Sequence, residues 1–368
     1  MKCITPMVRM YYDVPKKGPD EKIWQKIIPR NQVFDNLSIN NNYLSIIQDK
    51  NEKLKAEGSK LRYQLIPCKH CWACNLNYSK DWATRITMEC KNYEHRYFVT
   101  LTYDEANLPL YGAMLYTDKD GNISIYENDG TWTGTLEPRD LRRFMDNVRH
   151  YYRRKFGIKD IKYFAAGEYG EKGQRPHYHL ILFGAPLDIS KFYDFKVDKN
   201  HKLHWKSPEL EKLWGKGIVD VAEVEWSSAA YVARYCMKKI NFDNDEREYA
   251  KLGKHKEFTR MSRRPAIGYR YYDSHKSEIY ENDEIIMTTV KGNINVIKPP
   301  KAFDKKFKEE FPEEWESIKA SREAAAERSR KLEQDLTKGI SDLELYERKA
   351  QKLIKINELL PRSGDFDV

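Results

Sequence analysis

Between positions 161 and 184 the chain reads "IKYFAAGEYG", then "EKGQRP", then "HYHLILFG". Two β-branched and aromatic runs separated by six turn-forming residues predict a pair of strands joined by a tight connection. Side chains alternate along a strand, so His177 and His179 project from one face, about two residue rises apart. Glu168 precedes His177 by nine positions and comes up beside the histidines if the two runs pair. Two imidazoles and one carboxylate make a three-point site with coordination positions left open. Such a mixed N/O set suits Mg²⁺ or Mn²⁺, and Zn²⁺ also fits it. A His-x-His strand alone is more often explained by core or surface histidines.

A second pattern raises its meaning. The run "SSAAYVARYCMKKI" (227–240) reads as a helix with Ser227 or Ser228 as its cap. On an ideal helix Tyr235, Lys238 and Lys239 lie at roughly +40°, −20° and +80° from Tyr231. Two phenols and two ammoniums therefore share about a quarter of the circumference. A packing pair explains Tyr-x3-Tyr by itself, but a buried face should not carry two lysines. A phenol becomes a useful nucleophile where the phosphate it attacks is neutralised by a metal and by lysines.

The rest of the body alternates similarly. A helix is expected at 79–94, burying Trp82, Ile86, Cys90 and Tyr93, followed by a strand at 96–104. Hairpin turns fall between 118 and 130, a helix at 139–156 and a strand at 217–225. The fold class is α+β, around a mostly antiparallel central sheet flanked by helices. Residues 1–60 form an N-terminal extension with a helical stretch near 43–57, residues 61–275 the main domain, and residues 276–368 a charged extension, helical from about 300. There "SDLE" (341–344) opens an amphipathic helix that Pro361 ends.

Charge separates these regions. Residues 301–368 carry 15 Lys+Arg against 16 Asp+Glu, leaving 50 against 40 in residues 1–300. The basic excess sits with the body, where a polyanion would bind. Arg142, Arg143, Arg149, Arg153 and Arg154, with Tyr151 and Tyr152 interleaved, form one basic stretch suited to a phosphate backbone. Arg263 and Arg264 form a second. Cys68, Cys71 and Cys74, with Cys90 nearby, have the spacing of a structural zinc turn, with three reduced thiols as the plainer alternative. Six cysteines in 368 residues are no disulfide framework, and no apolar run reaches the length of a membrane span. A soluble protein of a reducing compartment is expected.

Taken together, "RPHYHLILFG" and "YVARYCMKK" resemble the HUH endonucleases, specifically the rolling-circle replication initiators of microviruses of the gokushovirus type. The resemblance covers roughly 65–275 and includes "DWATR", "FVTLTYD" and "MSRRPAIGYRYY". It departs at Tyr178, where the motif has a hydrophobic residue; a tyrosine ring should pack on the opposite face of the sheet. The resemblance implies an HUH fold, with His177, His179 and Glu168 holding Mg²⁺ or Mn²⁺ and Tyr231 and Tyr235 as nucleophiles. Lys238 and Lys239 assist. It implies nicking and joining of phage origin DNA through a 5′-phosphotyrosine, with host helicase and polymerase as partners in the host cytoplasm. Two alternatives remain: a plasmid initiator or relaxase of the same chemistry, and a non-catalytic, zinc-containing nucleic-acid-binding protein.

Overall fold

The computed structural model describes residues 7–13, 25–28, 43–69, 72–118, 120–170, 173–197, 203–224, 232–233, 246–288 and 294–336. These fall into two compact units, drawn from residues 1–77 with 319–361 and from residues 78–318. In the first unit, β1 (Met7–Tyr12) pairs antiparallel with β2 (Gln25–Ile28), and the helix α1 (Tyr43–Ala56) precedes β3 (Leu61–Ile66), which pairs with the other edge of β1. Val8 and Ile47 are its buried pair. The Asn51 amide fastens helix to sheet, donating to Tyr63 O and accepting from Tyr63 N, both at 2.8 Å. The helix matches expectation; the three short strands carry no long aliphatic run to announce them.

The division between units falls within α2 (Trp72–Cys90), a helix that begins seven residues earlier than its pattern predicts. Next come β4 (Arg96–Tyr103) and the hairpin β5 (Ala113–Thr117) and β6 (Ile123–Glu127), as expected from the turn residues. Helix α3 (Pro138–Phe156) starts on the Glu137 cap, whose carboxylate accepts from Arg139 N, with Pro138 at the first position. It ends at Gly157 in the left-handed conformation. There follow β7 (Lys162–Tyr169), β8 (Pro176–Phe183), β9 (Tyr193–Val197), β10 (Leu203–Lys206), α4 (Pro208–Trp214) and β11 (Gly217–Glu223). The unit continues with α5 (Glu246–Lys251), β12 (Phe258–Met261), α6 (Tyr269–Asn282), the hairpin β13 (Ile285–Thr288) and β14 (Ile294–Ile297), and α7 (Lys301–Glu310). Helix α8 (Pro312–Leu336) runs on from it. The helix expected at 341–360 lies outside the described residues.

Seven strands form one antiparallel sheet in the order β12–β7–β8–β4–β11–β10–β9. Alternation gives the sheet two faces with different covers. On one face Val99, Leu101, Tyr178, Leu180, Leu182, Val219 and Val221 pack against Leu141, Phe144, Met145, Val148 and Tyr152 of α3 and against Leu210 and Trp214 of α4. On the other, Phe98, Phe164, Ile181, Phe183 and Ala222 pack against Trp82, Ala83, Ile86 and Cys90 of α2. This second cluster also holds Val232 and Ala233, both helical and fully buried. Strand β8 ends at Gly184, whose φ of +80° and close backbone neighbour admit nothing larger: a Cβ there would lie 2.5 Å from Asp160 O.

Candidate metal centre

Strands β7 and β8 pair with Glu168 directly opposite His177, and Ala166 opposite His179. All four share the face of the sheet that α2 covers farther along. At its Ile181–Phe183 end this face is apolar and buried; at its Pro176 end it is polar. Glu168, His177 and His179 are thereby gathered as the sequence suggested, with one ligand atom from each lying within 4.8 Å of the others. Glu168 Oε1 is 3.0 Å from His177 Nε2 and 2.7 Å from His179 Nε2.

The outer contacts orient the rings. His177 Nδ1 donates to Arg175 O at 3.0 Å, since a carbonyl can only accept. In neutral His177, therefore, Nε2 carries a lone pair aimed at the carboxylate. Two acceptors face each other there, the arrangement a cation between them resolves. His179 Nδ1 meets Thr100 Oγ1 at 2.9 Å, and Phe98 stacks on its ring at 5.4 Å between centroids. Thr100 is in turn paired across the sheet with Asp220. Behind it, Asp220 Oδ2 accepts from His204 Nδ1 at 2.5 Å.

Electrostatics agree with a ligand set. Burial would push the Glu168 carboxyl up, but His179 and His177 beside it hold it down, at about 2. It is thus ionised throughout the physiological range although only 3% exposed. Its second oxygen, Oε2, is buried with no hydrogen-bond partner among the described residues. A buried anionic oxygen left without a donor is costly. Burial pushes His179 down, which keeps it neutral and able to ligate. The donor set of two imidazoles and a carboxylate with a spare oxygen therefore fits a divalent cation.

Tyr178 lies on the opposite face, fully buried, as the alternation argument requires. Its hydroxyl sits 2.8 Å from Tyr103 Oη, accepts from Glu137 N at 2.8 Å and lies 2.9 Å from Glu137 O. The residue between the histidines thus anchors the start of α3.

Tyr231, Tyr235, Lys238 and Lys239 lie outside the described residues, as does Cys71. Their neighbours Val232 and Ala233 belong to the cluster on the histidine-bearing face. Cys68 and Cys74 bring their sulfurs to 4.0 Å. Cys90 sits among Trp82, Ile86 and Tyr93, as its helical spacing predicts, and burial pushes its thiol up to about 12. Among the described residues no cysteine belongs to a three-ligand cluster.

The arginines of α3 point away from the sheet on the other side of it from the triad. Tyr152, expected among them, is instead buried, and its hydroxyl donates to Glu209 at 3.0 Å. Arg263 and Arg264 are exposed just beyond β12, past the Phe164 end of β7. Nothing local in the sequence points to Thr100, Asp220 or His204, because only the pairing of β4, β11 and β10 brings them beside the histidines.

The architecture and site define an α+β protein that carries a candidate metal centre on a seven-stranded antiparallel sheet. Residues 96–240, which include every metal, tyrosine and lysine position named above, match the family of replication-associated protein ORF2. The chain is 34% identical over 268 residues to the replication-associated protein ORF2 of Spiroplasma virus 4, covering 72% of this chain and 75% of that one. It is 26% identical over 279 residues to replication-associated protein VP4 of Bdellovibrio phage phiMH2K, covering 73% and 77%. With replication-associated protein ORF4 of Chlamydia phage 1 the identity is 30% over 227 residues, 60% of this chain and 49% of the other. No solved structure matches. The chain belongs to this family of replication-associated proteins.

Proposed function

We propose that the chain is an HUH endonuclease that nicks and rejoins phage origin DNA, starting and ending rolling-circle replication of a small circular single-stranded genome. The observation that carries this reading is the register of β7 and β8, which sets Glu168 against His177 and His179 on one face. Further support comes from Val232 and Ala233, which pack on that same face between the two tyrosine positions.

In this reading the triad holds Mg²⁺ or Mn²⁺, which withdraws charge from a scissile phosphate. The phenol oxygen of Tyr231 or Tyr235 attacks the phosphorus, and its proton passes to solvent. The bond from phosphorus to the 3′ oxygen breaks, and that oxygen takes up a proton. The products are a 5′-phosphotyrosine and a free 3′-OH that primes the host polymerase. Lys238 and Lys239 offset charge on the phosphate. Joining is the reverse: a 3′-OH attacks the phosphotyrosine and the phenol leaves. Two nucleophiles at i and i+4 let one tyrosine hold DNA while the other cuts the regenerated origin. The bond energy stays in the covalent intermediate, so joining needs no ATP. The work would take place in the host cytoplasm, with the host helicase opening the duplex.

The test is cleavage of end-labelled single-stranded DNA tiled across the parent genome, in Mn²⁺ and in EDTA. Metal-dependent cutting, lost in His177→Ala and in the double variant Tyr231→Phe/Tyr235→Phe, is the expected result. Binding without cleavage on every substrate would reject the nuclease.

A further inference from the structure

We propose that the outer face of α3 is a second DNA-binding surface, holding the backbone of double-stranded DNA on the side of the sheet opposite the metal triad. This rests on DNA being the protein's partner, as above, but not on its being cut.

The surface is defined by which residues α3 buries. Leu141, Phe144, Met145, Val148 and Tyr152 face the sheet. On an ideal helix Arg139, Arg142, Arg143, Arg149, His150, Arg153 and Arg154 then fall within a stripe of roughly 140° on the far side. Arg139, Arg142, Arg143, Arg153 and Arg154 are exposed; Arg149 is half-buried, donating to Ile161 O at 3.3 Å. Asp146 is the one exposed acid of the helix, set between Arg142 at 3.7 Å and Arg149 at 3.9 Å. At the C-terminal end the stripe runs into a concavity lined by Arg149, His150, Arg153 and Lys159 together with Asp146 and Ile158.

Helix electrostatics do not account for this stripe. Cations in the last turn complement the helix dipole, which explains Arg153, Arg154 and Lys155. Arg139, Arg142 and Arg143 stand in the first two turns, where the dipole disfavours them. Asp140, in that first turn, is buried and already engaged by Tyr103 at 3.0 Å and Lys216 at 3.4 Å; of the three arginines it reaches Arg143, at 3.8 Å. Positive charge maintained along the whole helix against the local field points to an external polyanion.

The kind of polyanion follows from what the stripe lacks. Proteins that hold single strands supply exposed aromatic side chains for bases to stack on. No phenyl, phenol or indole ring lies in this stripe. Tyr151 and Phe156, at its margins, are both covered by Lys155, at 5.0 and 4.9 Å from the ring centroids. A convex cationic rod about 28 Å long suits the backbone of a duplex over roughly eight base pairs. It lies on the order of 15 Å from the triad, across the sheet, so a short oligonucleotide at the metal would not reach it. A protein that cuts one strand at one face would thereby hold the adjoining duplex with the other.

The experiment compares the full chain with the variant Arg142→Gln/Arg143→Gln/Arg153→Gln/Arg154→Gln. A control neutralises Lys298, Lys301, Lys305 and Lys308, which lie elsewhere. Binding of a duplex of about 20 bp is followed by fluorescence anisotropy across salt concentrations. The arginine variant should bind roughly ten- to a hundredfold more weakly, with the slope of log K against log salt shallower by about 3–4. It should cut a short single-stranded substrate at the wild-type rate, and the control should change little. Unchanged duplex affinity and slope, an equal loss in the control, or a parallel loss of single-strand cutting would each overturn the proposal. If the wild type cuts nothing, the nuclease reading fails while the anisotropy result still decides this one.

Discussion

Replacing Tyr178 by Phe tests whether alternation along β8 separates a structural side chain from the functional ones on either side of it. The substitution keeps the ring and deletes one hydroxyl, which is fully buried and engages Tyr103 Oη, Glu137 N and Glu137 O. Tyr103 keeps its bond to Asp140 at 3.0 Å, so it is not stranded. The Glu137 backbone N–H loses its acceptor at the first turn of α3. One buried donor left unsatisfied costs about 1–3 kcal/mol. In a unit of this size that lowers Tm by roughly 4–8 °C around a central value of about 2 kcal/mol. Because the hydroxyl lies across the sheet from the histidines, affinity for Mn²⁺ should be unchanged. Thermal unfolding followed by circular dichroism and titration calorimetry with Mn²⁺ give both readouts. Unaltered stability, or weakened metal binding with unaltered stability, would refute the reasoning.

Two further outcomes follow from neighbouring residues. Thr100→Val removes the hydroxyl that meets His179 Nδ1 and should weaken Mn²⁺ binding by roughly 10–100-fold, the usual cost of losing an outer partner of a metal-bound histidine; Thr100→Ser should restore it in the same calorimetric titration. Lys162 Nζ and Glu89 Oε1 form a buried pair at 2.7 Å, so Lys162→Met should destabilise by about 3–5 kcal/mol in denaturant unfolding, and adding Glu89→Leu should recover much of that.

How much of this is legible in the sequence depends on the range over which each signal acts. Glu168, His177 and His179 can be read because a two-residue period and a six-residue connection are local, and together they fix which side chains meet. The α3 stripe is legible for the same reason at a period of 3.6, down to Leu141, Phe144 and Val148 on the buried side. Which face of the sheet α3 covers is not, because that depends on how β4, β7, β8 and β11 assemble. Thr100 is 79 positions from His179, and nothing in either segment announces the other. The strands β9, β10 and β12 escape a sequence reading because they are four or five residues long, at or near the sheet edges, and largely without aliphatic runs.

The central claim is a covalent bond between a tyrosine and DNA. The most direct measurement is to trap the protein–oligonucleotide adduct formed in Mn²⁺, digest it, and locate the attached nucleotide by mass spectrometry. The account predicts a 5′-phosphate ester on Tyr231 or Tyr235, absent in EDTA and in His177→Ala. An adduct on any other residue, or cleavage in which no phosphotyrosine forms, would contradict it.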